Sequence, residues 1–100
     1  MVDGDTLRHQ GELVRIAGID APEIRDYKCP AELALGKRAT DRLLVLINEG
    51  PFELVRTGRD EDKYGRKLRE IVRSGRSLGD ALIAEGLARP STGARRGWCG

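Results

Sequence analysis

The stretch TLRHQGELVRIAGI, residues 6 to 19, predicts the first structural unit of this chain. Polar and apolar residues alternate in it, most clearly between Leu13 and Ala17. Alternation with a period of two is typical of a strand that buries one face. Gln10 and Gly11 interrupt the pattern with residues that favour a tight turn. The sequence therefore predicts a β-hairpin.

A loop and then a long helix are predicted after the hairpin. Residues 20 to 30, DAPEIRDYKCP, contain two prolines and no periodicity, which indicates a loop. From Pro30 to Asn48 apolar or small residues recur at helical spacing, and Gly50-Pro51 ends the run. A glycine within that face, Gly36, would let the helix lie close to a sheet. The predicted inner positions are Leu33, Gly36, Thr40, Leu43, Leu44 and Ile47.

Two strands and a short helix are predicted in the second half. The strands are FELVR, residues 52 to 56, and KLREIVR, residues 67 to 73, and a Ser-Gly turn follows. Ser77 is a candidate N-cap, with Asp80 three residues on as in a capping box. Gly86 is expected to end this helix in a Schellman motif that packs Leu87 on Leu82, and the rest of the chain reads as irregular.

This order of elements indicates the fold class. Strand, strand, long helix, strand, strand and short helix suggest a small α+β domain with a strongly curved antiparallel sheet. A partly open OB-type barrel is the natural candidate, because that architecture suits small domains and oligonucleotide ligands.

The composition is that of one compact domain with a charged surface. Of 100 residues, 39% are hydrophobic, 4% aromatic and 34% charged. No apolar run approaches the roughly 18 residues of a membrane span, so no membrane partner is expected. The formal net charge is only +2, so affinity for nucleic acid would come from local clusters of Arg and Lys. Such clusters occur at residues 56 to 69 and 94 to 98, and the second reads as a solvated tail.

Cys29 and Cys99 are the only cysteines, and with the single His9 they are too few for a zinc site. They form either one disulfide or two unrelated thiols. We predict the disulfide, which would tie the C-terminal tail to the loop before the long helix. The compartment is unknown from sequence, although such a bond would favour a secreted or periplasmic protein.

The opening segment DGDT, residues 3 to 6, places two carboxylates close together. In an extended chain Asp3 and Asp5 point to the same face, where like charges repel. A solvated turn would explain them, and so would a metal site completed from elsewhere. An EF-hand loop is excluded, because Leu7 and Arg8 occupy its fifth and sixth positions.

Two further motifs, VRIAGIDAPE at residues 14 to 23 and DKYGR at residues 62 to 66, complete a pattern. Taken singly their residues have ordinary explanations: Arg15 could be a cross-strand ion-pair partner, and Arg66 could simply follow a turn. In order and spacing, however, the three motifs together closely resemble the staphylococcal nuclease (thermonuclease) family, over residues 2 to about 89.

The resemblance implies a fold and an activity. It implies an OB-fold barrel with helices, here with the first strand and the final helix largely missing, in a nuclease-like domain at residues 1–89 followed by an irregular tail at residues 90–100. The implied activity is hydrolysis of phosphodiester bonds in DNA and RNA, with Ca²⁺ as the cofactor. An incomplete barrel would expose a sheet edge, so either the 100 residues are part of a longer chain or a homodimer covers that edge.

The resemblance also implies a metal site. Asp5 and Asp20 match the metal-binding carboxylates, and Ala21 matches a residue whose main-chain carbonyl completes the site. Asp3 matches an acidic position near the metal. Carboxylate and carbonyl oxygens are the ligands that Ca²⁺ prefers.

Five more residues match positions that act on the substrate. Glu23 matches the catalytic glutamate, which accepts a proton from the attacking water or orients it. Arg15 and Arg66 match the two catalytic arginines, whose planar groups grip phosphate oxygens and remain charged. Lys63 and Tyr64 match residues that contact a substrate phosphate.

An alternative class of function is a degenerate, nuclease-like module that holds nucleic acid or protein without cutting. Such copies typically lose the acidic and arginine positions. This chain retains all five of them, which are Asp5, Asp20, Glu23, Arg15 and Arg66. The segment from Pro90 to Thr92 lacks tyrosines that relatives use to stack on a base, so base preference is not predicted.

Overall fold

A computed structural model describes residues 4–91 and 97–99 of the chain. Asp3 and residues 94–96 of the second basic cluster lie outside the described residues. The elements, in chain order, are β1 Thr6–His9, β2 Glu12–Ile16, β3 Ile19–Asp20, α1 Pro30–Asn48, β4 Glu53–Val55, β5 Lys67–Arg73, β6 Arg76–Ser77, α2 Leu78–Ala84 and β7 Arg89–Pro90.

The predicted hairpin is confirmed. β1 and β2 pair antiparallel, with Thr6 opposite Arg15 and His9 opposite Glu12. The connecting Gln10 and Gly11 have φ values of 51° and 84°. Positive φ at both central residues suits a two-residue turn whose twist matches that of the strands.

The main sheet is mixed, and the predicted purely antiparallel sheet is wrong. Its order is β1-β2-β5-β4, with β6 also pairing β5. β2 and β5 run parallel, while β4 and β5 run antiparallel. Because α1 and β4 lie between β2 and β5 in sequence, the connection is long enough for β5 to return in the direction of β2.

A second, two-stranded sheet joins the end of the predicted hairpin stretch to the tail, which the sequence left irregular. β3 pairs antiparallel with β7, which places Ile19 opposite Pro90 and Asp20 opposite Arg89. Gly18, with φ at 84°, turns the chain between β2 and β3. The tail thus begins with a strand, and this short pair sets the position of Asp20.

Helix α1 has the predicted bounds but a different inner face. Its buried positions follow a spacing of four and three residues that keeps them on one face. Leu44, predicted to be inside, is 43% exposed. Gly36 is buried as predicted, but against the loop at residues 22–24 rather than a sheet. The buried residues of α1 are Glu32, Gly36, Ala39, Leu43 and Leu46.

Both predicted ends of α2 are confirmed. The Ser77 hydroxyl accepts a hydrogen bond from the Gly79 N–H at 3.2 Å. At the other end Gly86 has φ at 74°, and the Leu87 N–H donates to the carbonyl of Leu82 at 2.9 Å. This is the hydrogen bond of a Schellman motif, and Leu82 and Leu87 are both buried.

The core between the main sheet and the helices is aliphatic, as the composition predicts. The Cys29–Cys99 disulfide is confirmed, with Cα atoms 6.1 Å apart, and it ties residues 97–99 to the loop before α1. None of the helices in the described ranges is both long and apolar enough to cross a bilayer. The architecture agrees with an α+β fold, while the OB-fold barrel with missing terminal elements stays a prediction.

Candidate active site

Asp5, immediately before β1, is held against the segment that begins with Asp20. It is only 7% exposed. Its Oδ2 accepts a hydrogen bond from the Ala21 N–H at 3.2 Å, and the Thr6 hydroxyl donates to its Oδ1 at 3.1 Å. The Ile16 N–H donates to the main-chain carbonyl of Asp5 at 2.8 Å. The hairpin and the turn after β2 therefore bring together residues 16 positions apart in sequence.

Arg15 joins the two predicted metal-binding carboxylates. One guanidinium nitrogen, Nη2, lies 2.7 Å from Oδ1 of Asp20 and 3.5 Å from Oδ2 of Asp5. The same nitrogen donates to the carbonyl of Ile19, and Nη1 donates to that of Ile16. Because three hydrogen bonds and one ion pair hold the guanidinium, its orientation is restricted. Both carboxylates consequently face one cationic group.

The residues that the resemblance implies as metal ligands are partly in contact with one another. Asp5 and Asp20 provide carboxylates, and the adjoining Ala21 is 2% exposed. No group of three or more His, Cys, Asp or Glu residues able to hold a metal occurs within residues 4–91 and 97–99. Asp5 and Asp20, the two carboxylates that the resemblance implies as metal ligands, instead share Arg15 as a contact.

Glu23 lies on the loop between β3 and α1, half-buried and three residues after Asp20. Its N–H donates to Oε2 of Glu32 at 3.1 Å, and the N–H of Lys28 donates to Oε1 of the same carboxylate at 2.8 Å. The loop that carries Glu23 is thus fastened to the first turn of α1.

Arg66 is oriented by a tight turn built around Asp62. One oxygen of Asp62 accepts from the N–H groups of Tyr64 and Arg66, at 2.9 and 3.0 Å. The other accepts from Nε of Arg66 at 2.6 Å. Gly65, with φ at 78°, lets the chain reverse between them. Partial burial opposes ionisation of Asp62, but these hydrogen bonds outweigh it and hold the pKa of the carboxyl below its usual value.

Thr6 connects Arg66 to the carboxylate cluster. Nη1 of Arg66 donates to the Thr6 hydroxyl at 3.3 Å, and that hydroxyl donates to Asp5. Thr6 is opposite Arg15 in the hairpin, so both side chains lie on one face of it. One continuous set of polar contacts therefore runs from Arg66 through Thr6 and Asp5 to Arg15 and Asp20.

Lys63 and Tyr64 extend this face into solvent. Tyr64 is 71% exposed. Lys63 Nζ lies 5.1 Å from the centre of its ring, and Arg66 Cζ lies 5.5 Å from it. The phenol ring is therefore flanked by two cations, which makes this edge suitable for an anionic ligand.

Three residues form hydrogen bonds within this arrangement although the sequence analysis assigned them no function. Thr6 and Asp62 lie inside the quoted motifs, but their contacts depend on the folded positions of Asp5 and Arg66. The position of Glu32 could have been noticed in the sequence. An acidic side chain at the third position of a helix often accepts a hydrogen bond from a backbone N–H that precedes the helix. Its bond to Glu23, nine residues earlier, could not be read from that signal.

The family described as "Staphylococcal nuclease homologue" matches residues 13–96. The chain is similar to SPbeta prophage-derived endonuclease YokF of Bacillus subtilis (strain 168), with 37% identity over 93 residues, covering 88% of this chain and 31% of the relative. It is also similar to endonuclease YncB of the same organism, with 34% identity, covering 88% of this chain and 44% of the relative.

The chain thus spans less than half the length of these two curated relatives. The family match nevertheless covers most of the chain, including Arg15, Asp20, Glu23 and the turn that carries Arg66. By this match, and by its similarity to two named endonucleases, the chain belongs to the staphylococcal nuclease family.

Proposed function

We propose that this domain is a calcium-dependent endonuclease that hydrolyses phosphodiester bonds in DNA and RNA with low sequence specificity. The observation that carries the proposal is the contact of Arg15 with both Asp5 and Asp20, extended to Arg66 through Thr6. Two acidic oxygen donors and two arginines thereby share one face of the molecule. Carboxylates can hold a metal ion, and arginines can bind a phosphate group.

In this proposal the carboxylates of Asp5 and Asp20 and the main-chain carbonyl of Ala21 would hold Ca²⁺. When bound, the ion supplies Lewis-acid polarisation of the phosphate and orients the attacking water. The hydrogen bonds that the Asp5 carboxylate accepts from the Thr6 hydroxyl and the Ala21 N–H restrict its orientation.

Glu23, Arg15 and Arg66 carry the remaining steps. Glu23 accepts a proton from the attacking water, or orients that water, from its place on the loop after β3. The guanidinium groups of Arg15 and Arg66 bind the phosphate oxygens and stabilise the negative charge that grows in the transition state. Asp62 and Thr6 each contact Arg66 and restrict its orientation, which lowers the cost of ordering it when substrate binds.

Lys63 and Tyr64 bind a neighbouring phosphate of the same strand. Lys63 provides charge, and the Tyr64 hydroxyl and ring extend into solvent where a strand can reach them. Phosphate contacts position a nucleic acid but carry no sequence information. Low sequence specificity follows if binding rests mainly on these groups.

The alternative function is a module that binds nucleic acid or protein without cutting it. The retention of Asp5, Asp20, Glu23, Arg15 and Arg66 favours the enzyme.

A second part of the proposal concerns assembly. In the described part of the chain β1 pairs only with β2, and β4 only with β5, so each has an outer edge at which two copies could pair. Light scattering that gives a monomer mass at every concentration would contradict the dimer.

One assay separates the two functions. Denatured DNA and RNA are incubated with the protein in calcium and in chelator, with Asp41→Asn, an exposed position of α1, as the matched control for carboxylate loss. The enzyme predicts cleavage in calcium, none in chelator, and full activity of the control. Retention of DNA without cleavage in either condition would favour the binding module instead.

A further inference from the structure

Glu32 is a buried carboxylate on the first turn of α1. It is only 4% exposed. Burial of a charged group is costly unless strong contacts offset the loss of water. Oε2 of Glu32 accepts from the N–H of Glu23, and Oε1 accepts from the N–H of Lys28. The two oxygens thus hold both ends of the loop at residues 23–28.

A second contact of α1 involves the same loop. Gly36 lies one turn after Glu32 on the same helix face. A Cβ at Gly36 would lie 2.9 Å from the carbonyl oxygens of both Pro22 and Glu23, and 2.8 Å from Cγ2 of Ile24. These separations are shorter than real Cβ contacts, so the helix backbone lies directly against the segment that carries Glu23.

We propose that Glu32 is a positioning residue for the nuclease reaction: its carboxylate clamps the N–H groups of Glu23 and Lys28 and thereby fixes the Glu23 side chain relative to the carboxylate cluster. The inference rests on the proposed catalytic role of Glu23 and deepens it. In this proposal Glu32 acts through Glu23 and not directly on metal or substrate. Its removal is therefore expected to lower kcat while KM and calcium affinity stay close to those of the wild type.

Glu32→Gln is the sharpest variant, because glutamine keeps the shape of the side chain. Its amide has one acceptor oxygen and one NH₂ group, and the NH₂ group would face a backbone donor. One of the two clamping bonds is therefore lost. Glu32→Asp keeps the charge but is one methylene shorter, so it is not expected to span both donors. Asp41→Asn removes a carboxylate from the exposed face of α1 and serves as the matched control.

Three measurements are made well below the unfolding temperature. Amide hydrogen exchange of the calcium-free protein reports on the loop, and kcat and KM for denatured DNA in calcium report on the reaction, alongside a calcium titration. For Glu32→Gln we expect protection of either the Glu23 or the Lys28 amide to fall by about tenfold, as one lost hydrogen bond to a charged group allows. We expect kcat to fall by about tenfold or more, because small displacements of a catalytic group are costly. KM and calcium affinity should change less than about twofold, and Asp41→Asn should behave like the wild type.

Full kcat in Glu32→Gln, or unchanged protection of both amides, would overturn the inference. An equal loss of protection at every amide would overturn it too, because it would show a general structural role. Gly36→Ala offers an independent check, since its Cβ displaces the loop without touching the carboxylate, and it should also lower kcat more than it raises KM. A wild-type protein without calcium-dependent cleavage would contradict the proposed function instead, and amide exchange would still decide whether Glu32 holds the loop.

Discussion

Nη2 of Arg15 lies 2.7 Å from Oδ1 of Asp20, in a contact that leaves only 18% of the Arg15 side chain and 23% of the Asp20 side chain exposed. The same nitrogen contacts Asp5, so the arginine balances two carboxylates that would otherwise repel each other. This arrangement explains how DGDT and VRIAGIDAPE come to share one site. It also allows us to predict how the loss of the Asp20 charge would affect calcium affinity and activity.

Asp20→Asn should lower calcium affinity and activity while the fold is kept. The asparagine oxygen can still accept from Arg15, but it binds a hard cation more weakly than a carboxylate does. Calcium titration by calorimetry and cleavage of denatured DNA would measure the two losses, and urea unfolding would check the fold. Wild-type calcium affinity in this variant would remove Asp20 from the proposed site.

Thr6→Val should lower activity by about tenfold without a large loss of stability. Valine matches the shape of threonine but removes the hydroxyl that links Arg66 to Asp5. The loss should be smaller than that of Arg66→Ala, for which about a hundredfold is expected when one donor to the transition state is removed. Steady-state kinetics of the two variants in calcium tests the order of these effects, and equal activity of Thr6→Val and wild type would show that the link is unimportant.

Reduction of the disulfide should destabilise the protein. Cys29 and Cys99 are separated by 70 residues, and in the chain-entropy view closure of so long a loop contributes about 4 kcal/mol to the free energy of unfolding. Urea unfolding of the wild type and of the Cys29→Ser/Cys99→Ser double variant, each with and without reductant, measures this. Reductant should affect only the wild type, and two free thiols in the unreduced native protein would contradict the bond.

The stability of the turn at residues 62–66 should depend on pH through Asp62. Hydrogen bonds from Tyr64 and Arg66 outweigh the effect of burial and lower the pKa of the folded carboxyl. A lowered pKa contributes stability above the unfolded value, which is roughly 4, and that contribution is lost as pH falls through the folded value. The difference in unfolding free energy between wild type and Asp62→Asn should therefore be larger at pH 7 than at pH 3. An equal difference at both pH values would contradict this account.

Arg73→Met should destabilise the end of α1. The Arg73 guanidinium donates to the carbonyls of Leu46, at 2.6 Å, Gly50, at 2.6 Å, and Pro51, at 2.9 Å, in the last turn and the chain after it. Loss of these charged hydrogen bonds should cost about 2 kcal/mol in the free energy of unfolding. Arg76→Met, at an exposed arginine opposite Arg73 in the sheet, is the matched control and should change stability little. Equal stability of the two variants would show that Arg73 adds nothing to the helix end.

The elements predicted from sequence were those whose signals are local. The turn at Gln10 and Gly11, the Ser77 cap and the Gly86 ending all depend on hydrogen bonds between residues a few positions apart. Such bonds form wherever the residue types and backbone angles permit them. The same holds for the bounds of α1, where Pro30 begins the helix. The Cys29–Cys99 pairing was also accessible, because the chain has only two cysteines.

The inner face of α1 was predicted less well. Leu44 is exposed and Glu32 is buried, although hydrophobicity alone would place them the other way round. The reason is that a helix can rotate its apolar face by part of a turn to suit its neighbours. Here the neighbour is the loop that carries Glu23, and its N–H groups need an acceptor.

The sequence by itself determined the family, the hairpin, both helices and the identity of the candidate site residues. Only the tertiary structure decided that β2 and β5 are parallel, that β3 pairs with β7, and that one guanidinium contacts both Asp5 and Asp20. The physical reason is the range of the contacts concerned. Pairing of distant segments, and burial of a polar group such as Glu32, are decided by which surfaces the whole chain can bring together while satisfying its hydrogen bonds, and no local pattern contains that information.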